Sequence, residues 1–447
     1  MWICEELALV NDSVLVIGGG IAGMQASLDL ADRGFKVYLV EKSPSIGGRM
    51  SQLDKTFPTM DCSICILAPK MIECFRHPNI KLLTCSEVEE VTCSAGNFKV
   101  SVVRKPRFVD ADKCTGCGLC TEKCPVKVPS EFDMGMGMRK AIYMPFPQAV
   151  PRIALIDREH CLFIQKNICK ICEKFCQAQA INFDQKTEKV NLNVSSIILA
   201  TGFELYNPAS ISEYGYKRYK NVLVSLEFER LINASGPTRG EILRPSDKKH
   251  PRKIVFIQCV GSRCQQKGTQ YCSSVCCMYA TKEAILVREH DPDCEVYILY
   301  MDLRVFGKRF QEFINRAKEE WNVKYVNGRP SRILECQETK NLLIRYQNVM
   351  KGKTEDILAD LVVLCPALIP RKDNRIIAKI LNLELDENNF FKTMNPLLST
   401  VRTNVQGVFV CGYCQGPKDI SESVTQASAA AARAAEVITS QPSRMVR

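Results

Sequence analysis

"SVLVIGGGIAGMQASLDLADRGFKVYLVEK", Ser13 to Lys42, reads as strand, tight turn, helix and strand. Val14 to Ile17 form an apolar β run, and Gly18, Gly20 and Gly23 then fall on GxGxxG. Gly18 permits the sharp turn, Gly20 lets backbone approach a pyrophosphate, and Gly23 allows close helix–strand packing. The phosphate sits at the helix N-terminus, where free N–H groups and the helix dipole favour negative charge. Glu41 closes the second strand, where an acid accepts hydrogen bonds from ribose hydroxyls. The β–α–β context makes this a dinucleotide site and sets the fold class as α/β.

"SIGGRM", Ser45 to Met50, follows the acid and brings Gly48 and Arg49. Such Gly-Gly-Arg loops recur in FAD enzymes, so FAD is favoured over NAD. "SSIILATGFEL", Ser195 to Leu205, is a buried strand ending in an Ala-Thr-Gly turn, with Thr201 and Gly202 at the turn. "GVFVCGYCQGPKDISESVTQASAAAARAAEVI", Gly407 to Ile438, reads as strand, glycine turn at Gly412, acid at Asp419 and an Ala-rich helix. FAD-binding sequence therefore stands at both ends of the chain, with other material between.

The 447 residues suffice for two or three domains. Hydrophobic content of 46% and a mean hydropathy of −0.09 predict a packed core. No apolar run reaches the length of a membrane span. "MWICEELALVNDSV" lacks a basic n-region, a long apolar stretch and a small-residue cleavage site, so no secretory signal is expected and the location expected is cytoplasmic. Twenty-four cysteines imply either a secreted disulfide framework or metal ligation. Tight CxxC clustering and the missing signal favour metal. The formal charge of +11 comes without a Lys/Arg block interleaved with aromatics, so no nucleic-acid partner is expected.

"DKCTGCGLCTEKCP", Asp112 to Pro125, spaces Cys114, Cys117, Cys120 and Cys124 as C-x2-C-x2-C-x3-C-P, the bacterial ferredoxin pattern. Three thiolates wrap one cube and the fourth reaches the neighbouring cluster. Cys161, Cys169, Cys172 and Cys176 follow with looser spacing, seven residues separating the first two and Gln177 replacing the proline. The expected sets are Cys114, Cys117, Cys120 and Cys176 on one 4Fe–4S cluster, and Cys161, Cys169, Cys172 and Cys124 on the other. Zinc is the alternative for CxxC pairs, and the C-x3-C-P ending argues against it.

"RKIVFIQCVGSR", Arg252 to Arg263, starts like a second dinucleotide unit, but its turn holds one glycine and places Cys259 where a pyrophosphate would lie. Weak or no NAD(P)H binding is expected. Cys272, Cys276 and Cys277, in "QYCSSVCCMYATKEA", start the next helix. With Cys259 they could ligate a third cluster, the alternative being buried structural thiols. Cys276 and Cys277 diverge by about 100° on a helix, so both reach one cube only near a helix terminus.

The chain resembles the family of A-type subunits of heterodisulfide reductase. The residues that carry this are "GGGIAGMQASLDLADRGFKVYLVEKSPSIGGRM", "FPTMDCSICILAPKM" (Phe57 to Met71), "CTGCGLCTEKCP", "RKAIYMPFPQAVP" (Arg139 to Pro151), "QCVGSR", "YCSSVCCMYATKEA" and "CQGPKDI". The resemblance implies a thioredoxin-reductase-like two-Rossmann flavoprotein with an inserted two-cluster ferredoxin, holding FAD and, on this chain, three 4Fe–4S clusters. It implies that Cys259, Cys272, Cys276 and Cys277 are cluster ligands and that Lys282 lies near the flavin N5, where a cation stabilises reduced flavin. The alternative for Lys282 is a solvated helix lysine. The chain is similar to shortened family members without an extra N-terminal domain or a C-terminal ferredoxin. Implied partners are heterodisulfide reductase B/C-like subunits, ferredoxin and a hydrogenase- or formate-linked input subunit, in a hetero-oligomer, with electron bifurcation as a family possibility.

The expected layout is FAD-binding sequence at 12–109, 187–250 and 368–440, a ferredoxin insert at 110–186, and a degenerate Rossmann unit with a cluster at 251–367. Cys62 and Cys65 form a CxxC without companions, read either as a dithiol–disulfide pair or as a family-specific loop near the flavin. Cys411 and Cys414 sit in the FAD loop without ligand spacing. Cys4, Cys74, Cys85, Cys93, Cys264, Cys294, Cys336 and Cys365 read as small apolar fillers.

Overall fold

The computed structural model describes residues 12–94 and 97–440. Cys4 lies outside the described residues. Apolar strand segments that alternate with helices assemble two main sheets. The first is parallel throughout, in the order Val408–Val410, Ser196–Leu199, Ser13–Ile17, Lys36–Val40, Ile80–Leu83. Its central strand Ser13–Ile17 is wholly buried, as a strand covered on both faces must be. Helices Ile21–Ala31 and Ile420–Thr439 cover one face, packing through Met24, Leu28, Ala427, Ala431 and Ala434. The small alanines let the second helix lie close.

The second sheet has seven strands in the order Val222–Val224, Leu361–Pro366, Lys253–Val260, Glu295–Tyr300, Lys324–Glu335, Leu342–Asn348, Lys353–Ala359. Parallel pairing holds from Val222–Val224 to Lys324–Glu335, and the last two strands turn antiparallel. Helix Cys276–His290 lies against it. Residues 222–224 were expected in the first unit, within 187–250. They pair instead with Val362–Leu364 in the second sheet. Their three fully buried side chains are satisfied there, and three residues are too few for periodicity to assign.

The two units meet along a ribbon, Phe203–Leu205 against Leu368–Pro370, and a small aromatic core of Val275, Leu368, Phe390 and Tyr413. A three-stranded antiparallel sheet, Ser86–Ser94, Asn97–Arg104 and Glu188–Val194, flanks the first unit. Between Arg104 and Glu188 the chain leaves this sheet and builds the cysteine-rich insert. The insert holds only short helices, Leu119–Lys123, Leu162–Lys166 and Ile171–Lys174, and two ribbons. Its small core mixes sulfur with apolar side chains: Cys120 and Cys124 are buried beside Phe108, Val109, Ile142 and Ile156, with Cys114, Cys161, Cys172 and Cys176 packed against them. Among the described residues no helix is long and apolar enough to cross a membrane.

Candidate functional site

A cavity of about 890 Å³ opens at the carboxyl ends of the first sheet's strands and runs between the two units. Gly18, Gly20, Glu41, Gly48, Arg49, Thr201, Gly202, Gly412, Asp419 and Lys282 all line it. Gly23 does not; it works behind the wall. A side chain at Gly23 would put its Cβ 1.8 Å from the carbonyl oxygen of Gly18. At Gly18, with φ +111°, a Cβ would meet the carbonyl oxygen of Ala200 at 2.3 Å. Two close backbone approaches thus make the cradle, and only glycine permits them.

The Glu41 carboxylate anchors the turn. One oxygen accepts from the Gly19 N–H at 2.6 Å and the other from the Ser43 N–H at 2.8 Å. The Ser43 hydroxyl donates to that second oxygen as well, at 2.5 Å, so the oxygen facing Gly19 is the one that keeps a lone pair for a ribose hydroxyl. Asp419 is the N-cap of helix Ile420–Thr439, accepting from the Glu422 N–H at 2.8 Å while Glu422 returns a bond to the Asp419 N–H. Burial raises its pKa. Thr201 donates to Asn374 at 3.0 Å, and Gly412 donates to the Gln426 amide oxygen at 2.9 Å. Arg49 donates to Gln52 at 2.9 Å, and burial and then nearby Arg371 lower its pKa. The glycine cradle, the helix N-terminus and the acid fit a dinucleotide.

Lys282 is 1% exposed, which removes the reading of a solvated helix lysine. Its Nζ pairs with Glu229 and donates to the Lys55 carbonyl at 3.1 Å. Two further carboxyls gather there. Glu283 is buried, its Oε2 has no hydrogen-bond partner, and burial followed by Glu229 holds its pKa well above the ordinary glutamate value. Asp54 donates its N–H to Glu229 at 2.9 Å, and burial raises its pKa. Lys418, also in the wall, donates to the carbonyls of Gly412 and Gly416, and burial lowers its pKa. Sequence reasoning missed Glu229, Glu283, Asp54 and Lys418. Lys418 alone had a signal, in the Lys-Asp pair before the Ala-rich helix.

Cys276 and Cys277 occupy the first turn of helix Cys276–His290, the geometry that lets adjacent thiols face one centre. Cys259 comes to them from a register shift between Ile257 and Val260, with φ +57°. The Cys276 thiol is within hydrogen-bond reach of both Cys259 and Cys277. Donation by Cys276 lowers Cys259 and brings Cys277 down to about 7, while Cys276 itself is pushed well up. Cys272 is half-buried beside them, its Sγ accepting from the Ser274 N–H at 3.4 Å. Four thiols gathered in this way match in kind the all-thiolate donors that an iron–sulfur cube takes.

In the insert, Cys124, Cys161, Cys169 and Cys172 line one small void of about 30 Å³. Cys120 lies close enough to feel the charge of Cys114 and Cys117, and Cys176 packs in the same core. Among the described residues no three Cys, His, Asp or Glu side chains are arranged around a single ion. A four-iron cube needs thiolates at the corners of a wider tetrahedron, and both all-thiolate sets suit it. Cys62 and Cys65 are joined as a disulfide, and the loop before them, Lys55 to Thr59, walls the cavity. Cys411 and Cys414 are buried and free.

The chain belongs to the pyridine nucleotide-disulphide oxidoreductase family, whose model matches residues 12–434. Within that class its relatives are narrower. It is 53% identical over 427 residues to the iron-sulfur A-type subunit of the CoB–CoM heterodisulfide reductase of Methanocaldococcus jannaschii, covering 96% of this chain and 64% of that one. It is 51% identical over 431 residues to the A-type subunit of the H(2)/formate:CoB-CoM heterodisulfide,ferredoxin reductase of Methanococcus maripaludis, covering 96% and 65%. The motif resemblance read from the sequence is met by these relatives, of whose length this chain spans a little under two thirds. Among solved structures, thioredoxin reductases of T. acidophilum and Lactococcus lactis match with TM-scores of 0.53 and 0.54 at 15% identity, covering 95% and 96% of this chain and 98% and 99% of theirs. The thioredoxin-reductase-like fold is therefore the one expected.

Proposed function

We propose that this chain is an iron–sulfur flavoprotein component that passes electrons between protein partners through FAD and three 4Fe–4S clusters. The observation that carries the reading is helix Cys276–His290. It presents Cys276 and Cys277 at its start and Lys282 to the cavity less than two turns later, about 8–9 Å along the axis. One rigid element thus spans a thiolate site and the cavity.

When bound, FAD supplies two-electron chemistry and the clusters carry electrons singly. Gly18, Gly20 and Gly23 would shape the pyrophosphate cradle, and Glu41 would take the ribose. Gly48, Arg49, Thr201, Gly202, Gly412 and Asp419 would line the rest. Lys282 would hold a positive charge against the flavin ring, with Glu229 as its counter-ion. Cys114, Cys117, Cys120 and Cys176 would hold one insert cluster, Cys124, Cys161, Cys169 and Cys172 the other, and Cys259, Cys272, Cys276 and Cys277 the third.

Relatives carry H(2), formate, ferredoxin and heterodisulfide in their names. We place this chain in such a cytoplasmic complex, with hydrogenase- or formate-linked, ferredoxin and heterodisulfide-reducing partners. Iron and flavin analysis of the fully loaded protein tests the reading. About twelve irons and one FAD are expected, at four irons per cluster. About eight irons would remove the third cluster. The family also includes pyridine-nucleotide-dependent enzymes, so an anaerobic NADPH titration that bleaches the flavin would replace this reading with a hydride-driven one.

A further inference from the structure

Seven carboxyls line the cavity: Glu41, Glu87, Glu131, Glu229, Glu283, Asp373 and Asp419. Six of them are committed elsewhere. Glu41 accepts from the Gly19 and Ser43 N–H groups, and Asp419 caps helix Ile420–Thr439. Glu87 pairs with Lys105, Glu131 with Arg139, Glu229 with Lys282 and Asp373 with Arg371. Among the described residues, Glu283 is the one carboxyl of the seven with neither an ion pair nor an N–H donor. It is 1% exposed and within hydrogen-bond reach of Glu229, while its Oε2 has no partner.

A carboxyl in this setting keeps its proton. Burial first, and then the Glu229 charge, hold it protonated well above the ordinary glutamate range. The other groups that face it are Lys282 and Tyr279 from its own helix and Cys365 from strand Leu361–Pro366. None of these releases a proton as readily. Loss of the Lys282 proton would strand Glu229 charged and dry. The Tyr279 hydroxyl donates to the Pro366 carbonyl at 3.4 Å, and burial raises both Tyr279 and Cys365 well above their ordinary values. Electrons brought into a buried cavity add negative charge that burial penalises, so a proton has to follow them. A carboxylic acid kept neutral in a dry wall can supply it.

We propose that Glu283 is the proton donor of the cavity, giving its proton to the flavin ring when electrons arrive there. The proposal rests on the reading of the cavity as an FAD site. For each electron pair delivered by the clusters, one O–H bond breaks at Glu283 and one N–H bond forms on the ring. Glu283 is left as a carboxylate and regains a proton from solvent, so two electrons and one solvent proton enter in all. Oxidation of the flavin runs the transfer backwards, and Glu283 then acts as the base. Lys282 and Glu229 keep their charges throughout, which leaves Glu283 as the group whose charge changes.

The test uses the full, cofactor-loaded chain, reduced anaerobically with dithionite in a stopped-flow spectrometer. Flavin and cluster bleaching are followed together, in ordinary and heavy water, across neutral and alkaline pH. Wild-type flavin should bleach more slowly in heavy water, and its rate should fall as pH rises and Glu283 ionises. Glu283→Gln should keep its FAD and iron, bleach its flavin slower by about tenfold or more, and lose the pH dependence. Formate, a small carboxylic acid, and Glu283→Asp should each recover part of the rate. A glutamine variant with the wild-type rate and pH profile would overturn the proposal. So would a slowing shared equally by the clusters and relieved by neither formate nor aspartate, since that marks a structural role. If the glutamine variant loses FAD, the wild type decides alone: a flavin rate indifferent to heavy water would overturn the donor. A wild type that binds no FAD would overturn the reading of the cavity itself, which a flavin indifferent to Glu283 would leave standing.

Discussion

The Lys282 ammonium is ion-paired with the Glu229 carboxylate where both are 1% exposed, in the wall of the cavity. A buried pair of this kind is costly to break from one side, because the survivor is left charged and dry. Lys282→Met should destabilise the fold by about 3–5 kcal/mol. Adding Glu229→Gln should recover part of that loss. Urea unfolding of the two single variants and the double variant measures the coupling, and additive losses would show that the contact contributes nothing.

Glu283 sets a pH dependence of its own. Burial and Glu229 raise its folded pKa above the unfolded value. The folded chain therefore keeps a proton that the unfolded chain releases. The stability tied to this proton is complete below the ordinary glutamate range and is lost as pH rises toward the folded pKa. Glu283→Gln removes the titration. Between about pH 5 and about pH 8 the wild type should lose midpoint temperature relative to the variant. Parallel curves would mean that Glu283 stays ionised.

Replacing Cys276 and Cys277 with serine should remove about four irons, one cluster's complement, and leave FAD bound. The cavity's glycine cradle stands on the first sheet, away from those sulfurs. Iron and flavin counts on the same sample decide it. Flavin lost before iron would make the segment a support of the cavity rather than a ligand set.

Gly23→Ala should do the reverse. Its Cβ would collide with the Gly18 carbonyl, so the turn must open by at least an ångström or the helix must shift. FAD content should fall severalfold while iron in the insert stays. Retained flavin absorbance would show that the turn can yield.

What the sequence disclosed was local. The glycine loop, Glu41 and the C-x3-C-P run are patterns within a few residues, and their chemistry follows from spacing. Glu229 was hidden because SLEFERLI reads as an ordinary amphipathic helix with its acids in water, whereas helix Ser225–Ile232 buries all eight residues, charged ones included. Its partner Lys282 stands 53 positions on. Val222–Val224 was misplaced for a related reason: three residues carry no period, and only the neighbouring strand decides their sheet. The bond between Cys62 and Cys65 is likewise invisible in a CxxC, which serves metals and disulfides alike.

Removing iron should loosen the insert first, since its core is small, its helices are four or five residues long, and six of its cysteines stand in or against that core. Limited proteolysis after chelation should cut between residues 110 and 186 well before either main sheet. Equal resistance with and without iron would mean that the ribbons hold the insert unaided.

The insert leaves and rejoins the host at directly paired residues, Arg104 and Glu188, neighbours across two antiparallel strands. Such a junction is a socket: a cassette can be plugged in there without disturbing the strands that receive it. Yet this cassette also furnishes the host. Phe132 and Phe146 line the cavity, stacked at 4.6 Å, and the Val150 carbonyl accepts from the Ile46 N–H at 3.0 Å. A deletion of the cassette would remove the insert's proposed cluster sites and uncover the cavity at the same time. The cavity wall and the cysteine-rich core thus depend on one continuous stretch of chain.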